Sequence, residues 1–388
     1  RAHAVALLVS YHDFKTTKDL EKIYARIKPL NSDFIKIVTT ARSLADNVTM
    51  MRFLESKRDE GNVVGICMGD FGVISRVLGL RAGSRFTFAA ASVGEETAPG
   101  QIAARTLIEA YRADQVDAGT KVYGVAGNPV SQSLSPIMMN TALHRETVNA
   151  VYLALQAEKV TDLLVLIREV PVHGVSVTMP FKREIMKHLD RTDALSQKIG
   201  ACNTVVRSQD GKLIGYNTDV TGVIRPLEQR MDLRKAKVLL LGAGGAARAA
   251  AFGLKQKGAN VFILNRTPQT GQKLAREAEA KTIRRDQVAK TSFDIIINAT
   301  SVGMTSSKQQ SILEEKELNA KLVFDMVYNP METPLLRMAR GKGLAVITGA
   351  EMFVQQGAEQ FQLWTGKPAP REDMWRVVTH ALRSRTGA

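Results

Sequence analysis

One stretch of the sequence, Val238–Thr267, has the pattern of a nucleotide-binding unit. It opens with a continuous apolar run, Val238–Leu241, which is typical of a strand buried on both faces. A glycine-rich turn follows, then a segment of helical composition that Gly258 ends, and then a second apolar run, Val261–Leu264. A strand, a turn, a helix and a strand within about 30 residues make one βαβ unit, so the sequence predicts a parallel α/β domain.

The glycines of this turn have the spacing G-x-G-G-x-A, which suits a bound pyrophosphate. A pyrophosphate must reach backbone N–H groups at a helix N-terminus, and a Cβ atom at these positions would block its approach. The alternative is a glycine turn in some other kind of α/β protein. We expect the turn to contact a dinucleotide through Gly242, Ala243, Gly244, Gly245 and Ala246.

The end of the second strand predicts which dinucleotide is bound. An acidic residue there would hold the ribose 2′-hydroxyl of NAD, but the sequence has Asn265, Arg266 and Thr267 instead. Arg266 suits the 2′-phosphate of NADP. Because a hydrogen bond to a charged group contributes about 1.5–3 kcal/mol, we expect a preference for NADP of roughly ten- to a hundred-fold.

Composition limits the possible partners. The 388 residues carry a formal net charge of +15, but the Lys and Arg residues are scattered, without a basic block or an aromatic-interleaved stripe. This argues against a nucleic-acid partner and favours anionic small molecules as ligands. Every apolar run is far shorter than a membrane span, so no membrane partner is expected.

The two cysteines, Cys67 and Cys202, lie far apart and match no metal-binding spacing. We therefore expect reduced thiols in a cytoplasmic protein and no metal site. The segment Ala4–Val9 is too short for the apolar core of a signal peptide, and polar residues follow it. Nothing in the sequence specifies an oligomeric state.

Residues 1–119 alternate short strands with helices in four units, the fourth strand being Phe86–Ala90. Four units are half of a (β/α)₈ barrel. The matching pieces S-Y-H-D-F, D-F-I-K-I, M-G-x-x-G-x-x-S-R and A-P-G-Q-I resemble the C-terminal half of type I 3-dehydroquinate dehydratase. The resemblance implies a Schiff-base lysine at Lys36, a proton-transfer group at His12, a carboxylate-binding Arg76 and a closing-loop Gln101. Burial on a strand lowers a lysine pKa and makes it a nucleophile.

The first four strands of that barrel family have no counterpart before Arg1. Half a barrel has an open sheet edge and an incomplete pocket. We therefore expect no dehydratase turnover from this chain alone, and we interpret it as part of a longer bifunctional protein.

Beyond a polar linker that contains Gly119, three strand regions end in hydrogen-bonding side chains, a pattern that predicts a pocket for a polyhydroxylated ligand. The segment Ser131–Pro136 begins a helix, where hydroxyl groups beside free N–H groups suit a carboxylate, although simple helix capping is the alternative. Lys182 and Asp219 stand out as a candidate acid/base pair, with a surface ion pair as the alternative.

Residues 122–388 resemble shikimate dehydrogenase throughout. The motifs are G-N-P-V-S-Q-S-L-S-P, S-V-T-M-P-F-K, G-A-C-N-T, G-Y-N-T-D, G-A-G-G-A-A-R, N-R-T, N-A-T-S-V-G-M, D-M-V-Y-N-P and E-M-F-V-Q-Q-G. Two positions depart from the family pattern: Ser176 stands where asparagine is common, and Leu134 where lysine is common.

The resemblance implies NADP-dependent, reversible oxidation of shikimate, a step of aromatic amino acid biosynthesis, in a cleft between two domains. It implies that substrate is bound by Ser133, Ser135, Thr178, Asn203, Tyr328 and Gln356, and that protons are moved by Lys182 and Asp219. It places the cofactor on the glycine turn, on Asn265–Thr267, and on Thr300, Met304 and Gly349.

The predicted fold class is α/β: half of a (β/α)₈ barrel over 1–119, a substrate domain over 120–220 and a Rossmann domain over 221–349. The C-terminal helices, 350–388, are expected to return to the substrate domain. Two other functions stay open at this point. One is a quinate/shikimate dehydrogenase that uses NAD, and the other is a non-catalytic sensor that binds shikimate-pathway compounds.

Overall fold

A computed structural model describes residues 5–304 and 310–386 of the chain. The strands are β1 Leu8–His12, β2 Phe34–Thr40, β3 Val63–Met68, β4 Lys121–Gly127, β5 Ala150–Gln156, β6 Val172–Val177, β7 Arg191–Thr192, β8 Thr204–Arg207, β9 Leu213–Tyr216, β10 Lys237–Leu241, β11 Asn260–Leu264, β12 Lys281–Thr282, β13 Ile295–Asn298, β14 Leu322–Asp325 and β15 Ala345–Ile347.

The α-helices are α1 Leu20–Ile27, α2 Asp46–Ser56, α3 Ser75–Ala82, α4 Ser135–Arg145, α5 Val160–Glu169, α6 Ala194–Ile199, α7 Asp219–Glu228, α8 Gly245–Gln256, α9 Pro268–Glu277, α10 Arg285–Val288, α11 Pro334–Gly341, α12 Gly349–Thr365 and α13 Arg371–Thr386. Within residues 5–304 and 310–386, none of these helices has both the length and the apolar character needed to cross a bilayer.

The chain divides into two compact units, Arg1–Ile185 with Val205–Gly211, and Met186–Thr204 with Lys212–Ala388. In the first unit β1, β2 and β3 form a parallel sheet, and Ser10 pairs with Lys36. In a second sheet β4 pairs in parallel with β5 and β6. All six residues of β3 are buried, as expected for a continuous apolar strand of a parallel sheet.

The predicted fourth strand at Phe86–Ala90 is wrong. Ala90 forms only an isolated parallel bridge, with Ala103. The Ala90 N–H donates to the Ile102 carbonyl (2.9 Å), and the Ala104 N–H donates to the Ala90 carbonyl (2.8 Å). The backbone hydrogen bonds at Ala90 therefore go to a later segment of the chain, and Phe86–Ala90 does not extend the sheet beyond β3.

The predicted linker at Gly119 lies inside the first unit and is held by hydrogen bonds. The Arg81 guanidinium donates to the Thr120 carbonyl from Nε (2.9 Å) and to the Ala118 carbonyl from Nη2 (3.0 Å). The Asp117 carboxylate accepts from the Thr120 hydroxyl (3.0 Å). These bonds join the two predicted regions on either side of residue 119, so the compact units do not follow that boundary.

The second unit contains a six-stranded parallel sheet in the order β12-β11-β10-β13-β14-β15. This is the doubly wound order, and it reverses between β10 and β13, where such folds bind ligands outside the carboxyl ends of the strands. The apolar side chains of β10 and β13 are fully buried in the core, which explains the uninterrupted apolar runs in the sequence.

The long helix α12 packs against α7 within the second unit. Gly222 of α7 makes this approach possible, because a Cβ there would lie 3.0 Å from both the Met352 carbonyl oxygen and the Gln356 Cβ. The close approach brings one face of α12 to the N-terminal end of α7. Helix α12 therefore places side chains in the region around Asp219.

Candidate active site

Three predicted site residues meet in the second unit around the buried side chain of Asn203. The Asn203 Nδ2 donates to Asp219 Oδ1 (2.8 Å) and lies 3.5 Å from Gln356 Oε1. The Asn203 Oδ1 accepts from the Thr218 backbone N–H (2.7 Å) and from the Thr204 hydroxyl (2.8 Å). All three predicted residues are nine-tenths or more buried, so their polar groups are preorganised rather than freely solvated.

Asp219 is the first residue of α7, so this acidic residue lies in the first helical turn, whose N–H groups have no partner within the helix. A negative charge at a helix N-terminus is favourable. The hydrogen bond from Asn203 fixes one carboxylate oxygen. This hydrogen bond restricts the rotation of the Asp219 carboxylate.

The glycine turn after β10 has the conformation that its sequence predicts. Gly242 has φ +107°, and a Cβ there would lie 2.9 Å from Thr300 Cγ2. Gly244 precedes the first residue of α8, and a Cβ built on it has no atom within 4 Å. The surface over Gly244 at the start of α8 is therefore open, which is the shape that a pyrophosphate needs.

The predicted 2′-phosphate segment follows β11 directly. Asn265 Nδ2 donates to the Thr267 carbonyl (2.8 Å) and closes a tight turn, while Thr267 precedes the first residue of α9. Arg266, between them, is exposed. Arg266 therefore lies at the carboxyl end of β11, directly before the first turn of α9.

In the first unit the predicted carboxylate-binding serines are at the start of α4. Ser135 is the first helical residue and is buried, and its N–H donates to Ser133 Oγ (3.2 Å). Nearby on β5 and β6, the Tyr152 hydroxyl donates to Ser176 Oγ (2.6 Å). Burial is the main cause that raises the pKa of Tyr152, and contacts with Ser176 and Ser135 oppose it. These hydroxyl groups form one polar cluster.

Thr178 and Lys182 follow β6. The Thr178 N–H donates to the Ala126 carbonyl (2.9 Å), and the Phe181 N–H donates to the Thr178 carbonyl (2.9 Å), which closes a turn. Phe181 is buried and anchors that turn, whereas Lys182 is half-buried. The structure thus holds the backbone beside Lys182, whose residue as a whole is partly exposed.

Tyr328 and Gly349 lie together near the start of α12. The Tyr328 ring stacks on Phe353 of α12, with ring centroids 4.8 Å apart, and burial raises the Tyr328 pKa. A Cβ on Gly349 would lie 2.4 Å from the Val327 carbonyl carbon and oxygen. Gly349 therefore allows the helix to start against the backbone that follows β14.

The lysine and histidine predicted in residues 1–119 lie on neighbouring strands. Lys36 is on β2, with Nζ 3.7 Å from the centre of the Phe88 ring. Burial, and then the Arg76 cation, lower the Lys36 pKa, as a Schiff-base lysine requires. His12, at the end of β1, is exposed, and burial and then Lys36 lower its pKa.

Arg76 and Gln101, the other two predicted residues of this region, bind protein groups. The Arg76 side chain is almost fully buried and donates to the carbonyls of Gly100 (2.8 Å) and Phe88 (2.9 Å). Burial lowers the Arg76 pKa to about 10. Gln101 Oε1 accepts from the N–H of Thr97 (2.7 Å) and so folds its own loop.

Four family models match parts of this chain. Residues 1–118 match the family model described as Type I 3-dehydroquinase. Residues 125–205 match the shikimate dehydrogenase substrate binding domain, residues 226–330 match shikimate / quinate 5-dehydrogenase, and residues 349–379 match the shikimate 5'-dehydrogenase C-terminal domain.

A shikimate dehydrogenase (NADP(+)) of Pyrococcus furiosus is 43% identical over 277 residues, which cover 70% of this chain and 99% of the relative. The chain belongs to the shikimate dehydrogenase family. A solved shikimate 5-dehydrogenase of Thermus thermophilus, in complex with NADP(H) and shikimate, is 36% identical with a TM-score of 0.63. It aligns with 68% of this chain and 100% of its own.

The dehydrogenase region is joined to the dehydratase-like region in one curated relative. The bifunctional 3-dehydroquinate dehydratase/shikimate dehydrogenase, chloroplastic, of Arabidopsis thaliana is 36% identical over 395 residues. The match covers 96% of this chain and 65% of that protein. The chain therefore spans about two thirds of the length of the bifunctional protein.

The cluster around Asn203 includes supporting residues that sequence reasoning did not single out. Gln360 Nε2 donates to the Asn203 carbonyl (3.1 Å) and to Thr204 Oγ1 (2.9 Å). Thr218 Oγ1 accepts from Asn203 Nδ2 (3.1 Å). One signal for Gln360 is its position four residues after Gln356, which places both amides on one face of α12.

Gly349 provides a test of the close approach between α12 and the shikimate dehydrogenase core. Replacing Gly349 by Ala forces a Cβ against the Val327 carbonyl group, which is backbone and cannot rotate away as a side chain can. We expect the free energy of unfolding to fall by about 1–3 kcal/mol, measured from the midpoint of urea denaturation.

The matched control is Gly341→Ala, because Gly341 also lies in a helix and a Cβ there has no atom within 4 Å. We expect the control to be neutral or slightly stabilising, since Ala favours helix over Gly. Equal destabilisation by both substitutions would contradict the steric argument for Gly349.

Proposed function

We propose that this chain catalyses the NADP-dependent, reversible reduction of 3-dehydroshikimate to shikimate. The observation that carries the proposal is the Asn203–Asp219–Gln356 cluster, which lies in the same compact unit as an open glycine turn on a doubly wound sheet. A carboxylate held by amides suits a polyhydroxylated substrate, and the turn suits a dinucleotide.

The residues present fit NADP. The open surface over Gly244 and the positive φ of Gly242 suit the pyrophosphate, with Ala243, Gly245 and Ala246 completing the turn. Arg266, with Asn265 and Thr267, would hold the 2′-phosphate. Thr300 and Met304 would lie along the nicotinamide side, and Gly349 would also contact the cofactor. When bound, the cofactor supplies or accepts the hydride.

For the substrate, we propose that Ser133 and Ser135 bind the carboxylate, supported by their position at the start of α4. Thr178, Asn203 and Gln356 would bind ring hydroxyl groups, and Tyr328 would line the site. Lys182 would give or take the proton on the reacting oxygen, with Asp219 as the carboxylate of the proton-transfer pair. General acid–base catalysis of this kind typically contributes roughly 10²–10⁴-fold.

The first experiment is absorbance at the reduced-nicotinamide band, with shikimate and either NADP or NAD. We expect a strong signal with NADP and a much weaker one with NAD. Equal signals would keep the dehydrogenase and remove the role of Arg266. No signal with either cofactor, while shikimate still binds, would overturn the enzyme and favour a sensor.

For residues 1–119, we propose that Lys36, His12, Arg76 and Gln101 form the matching part of a dehydratase site. The lowered pKa of Lys36 supports this proposal. The expected lack of dehydratase turnover by this chain alone stays a prediction. We also propose that the regions 1–119, 120–220 and 221–349 differ in function, the first dehydratase-like, the second for substrate and the third for the dinucleotide, although the compact units have other boundaries.

We further propose a reducing compartment, the cytoplasm, as the place where this chain works, with no nucleic-acid or membrane partner. Cys67 and Cys202 are both buried, and neither forms a disulfide among the described residues, which supports a reducing environment. Burial also raises the Cys67 pKa to about 11, so its thiol stays protonated and unreactive.

A further inference from the structure

The second unit contains a buried carboxylate that the proposed mechanism does not use. Asp325 ends β14, and its side chain has no solvent exposure. Its Oδ1 accepts from Asn298 Nδ2 (2.9 Å) and from the Val327 N–H (3.0 Å), and its Oδ2 accepts from the Thr333 hydroxyl (2.6 Å). Burial raises the Asp325 pKa to about 6. Burying a carboxylate removes its hydration, which is costly unless hydrogen bonds from the protein replace the water.

Asn298 passes this contact on to the turn that follows β13. Its Oδ1 accepts from the Thr300 N–H (3.1 Å) and the Thr300 hydroxyl (2.7 Å), while its Nδ2 also donates to the Val302 carbonyl (3.1 Å). The Val302 N–H donates to Thr300 Oγ1 (3.2 Å). The Asn298 side chain therefore bonds to three groups of the turn 298–302, and its Nδ2 also donates to the Asp325 carboxylate.

The turn 298–302 lies directly against the glycine turn. Gly242 has room for no side chain, because a Cβ there would be 2.9 Å from Thr300 Cγ2 and 3.2 Å from the Ala299 carbonyl oxygen. β10 and β13, which the two turns follow, are neighbours at the point where the strand order reverses. A dinucleotide bound at this point would contact both the glycine turn and the turn 298–302.

We propose that Asp325 is the positioning residue of the dinucleotide site: through Asn298 it sets the turn 298–302 against Gly242. The inference rests on the proposed function for the identity of the ligand, NADP. It assigns the two oxygens of Asp325 different tasks. Oδ1 accepts from Asn298 and so positions the turn 298–302, whereas Oδ2 accepts from the hydroxyl of Thr333, which caps α11.

The test measures the dissociation constants of NADP and of shikimate separately, by titration of the full chain. For Asp325→Ala we expect NADP to bind about 10-fold more weakly, as the loss of a charge-assisted hydrogen bond implies, and shikimate affinity to change less than about twofold. Asp325→Asn keeps an oxygen at Oδ1 and is expected to restore NADP affinity to within about threefold of the original chain.

The matched control is Thr333→Val, which has nearly the same shape and removes the bond to Oδ2 while leaving Asn298 in place. It is expected to lower the melting temperature, because α11 loses its cap, and to leave NADP affinity unchanged. If Thr333→Val weakens NADP binding as much as Asp325→Ala does, Asp325 has a general structural role and the proposal is overturned.

Asn298→Ala tests the other member of the relay and does not depend on whether Asp325→Ala folds. We expect the same loss of NADP affinity in this variant. Where Asp325→Ala folds, the double variant is expected to bind NADP no more weakly than the worse single variant, since both changes break one relay. Unchanged NADP binding in Asn298→Ala overturns the proposal. Failure of the original chain to bind NADP at all would instead overturn the proposed function.

Discussion

Replacing Lys182 by Ala is expected to lower kcat for shikimate oxidation by about 10²–10⁴-fold while the KM for shikimate changes little. Lys182 is half-buried and follows a turn that buried Phe181 anchors. Removing the amine removes the group that we propose takes the proton from the reacting hydroxyl. Binding of the substrate depends on other residues, and it should therefore survive.

The matched control for Lys182 is Arg183→Ala, which deletes the neighbouring exposed cation and changes the net charge equally. We expect the control to keep kcat within about twofold, because an exposed charge away from the chemistry contributes little. Initial rates over a range of shikimate concentrations at saturating NADP give both constants. An unchanged kcat in the Lys182 variant, or an equal loss in the control, would remove Lys182 from the mechanism.

Replacing Arg266 by Ala is expected to lower kcat/KM with NADP by about 10- to 100-fold and to leave kcat/KM with NAD nearly unchanged. Arg266 is exposed between Asn265 and Thr267, in the turn that joins β11 to α9. Its guanidinium fork suits a phosphate that NAD lacks. The variant should thus lose the preference between the two cofactors rather than activity in general.

Arg276→Ala is the control for Arg266, since Arg276 is an exposed arginine near the other end of α9. We expect it to affect the two cofactors equally and slightly, through the general potential alone. Steady-state rates with each cofactor, at one ionic strength, provide the comparison. A parallel fall with NADP and NAD in the Arg266 variant would mean that the residue does not contact the 2′-phosphate.

Local signals in the sequence account for the nucleotide-binding half of the site. The apolar runs of β10 and β11 and the glycines between them are contiguous, and each acts through its own backbone conformation, as the φ of Gly242 shows. The same holds for the family motifs, which lie on short continuous stretches. The shikimate dehydrogenase resemblance predicted from them is confirmed by a relative 43% identical to this chain.

The prediction that depended on pairing between distant segments was wrong. Phe86–Ala90 has the composition of a strand, yet its hydrogen bonds at Ala90 go to Ile102 and Ala104. Composition reports whether a segment suits a strand, but not which neighbour is near enough to pair with it. For the same reason the linker at Gly119 gave no sign that Arg81 would bind it into one compact unit.

The sequence by itself determined the α/β class, the glycine turn and the side chains available for chemistry, because these depend on residue type and on short spacings. Only the tertiary structure decided which of those side chains share a site. Asn203 meets Gln356 across 153 positions of the chain, and Asp325 reaches Thr300 through Asn298. Such contacts depend on how α7 and α12 pack and on the strand order of the sheet, which bring distant residues within hydrogen-bonding distance.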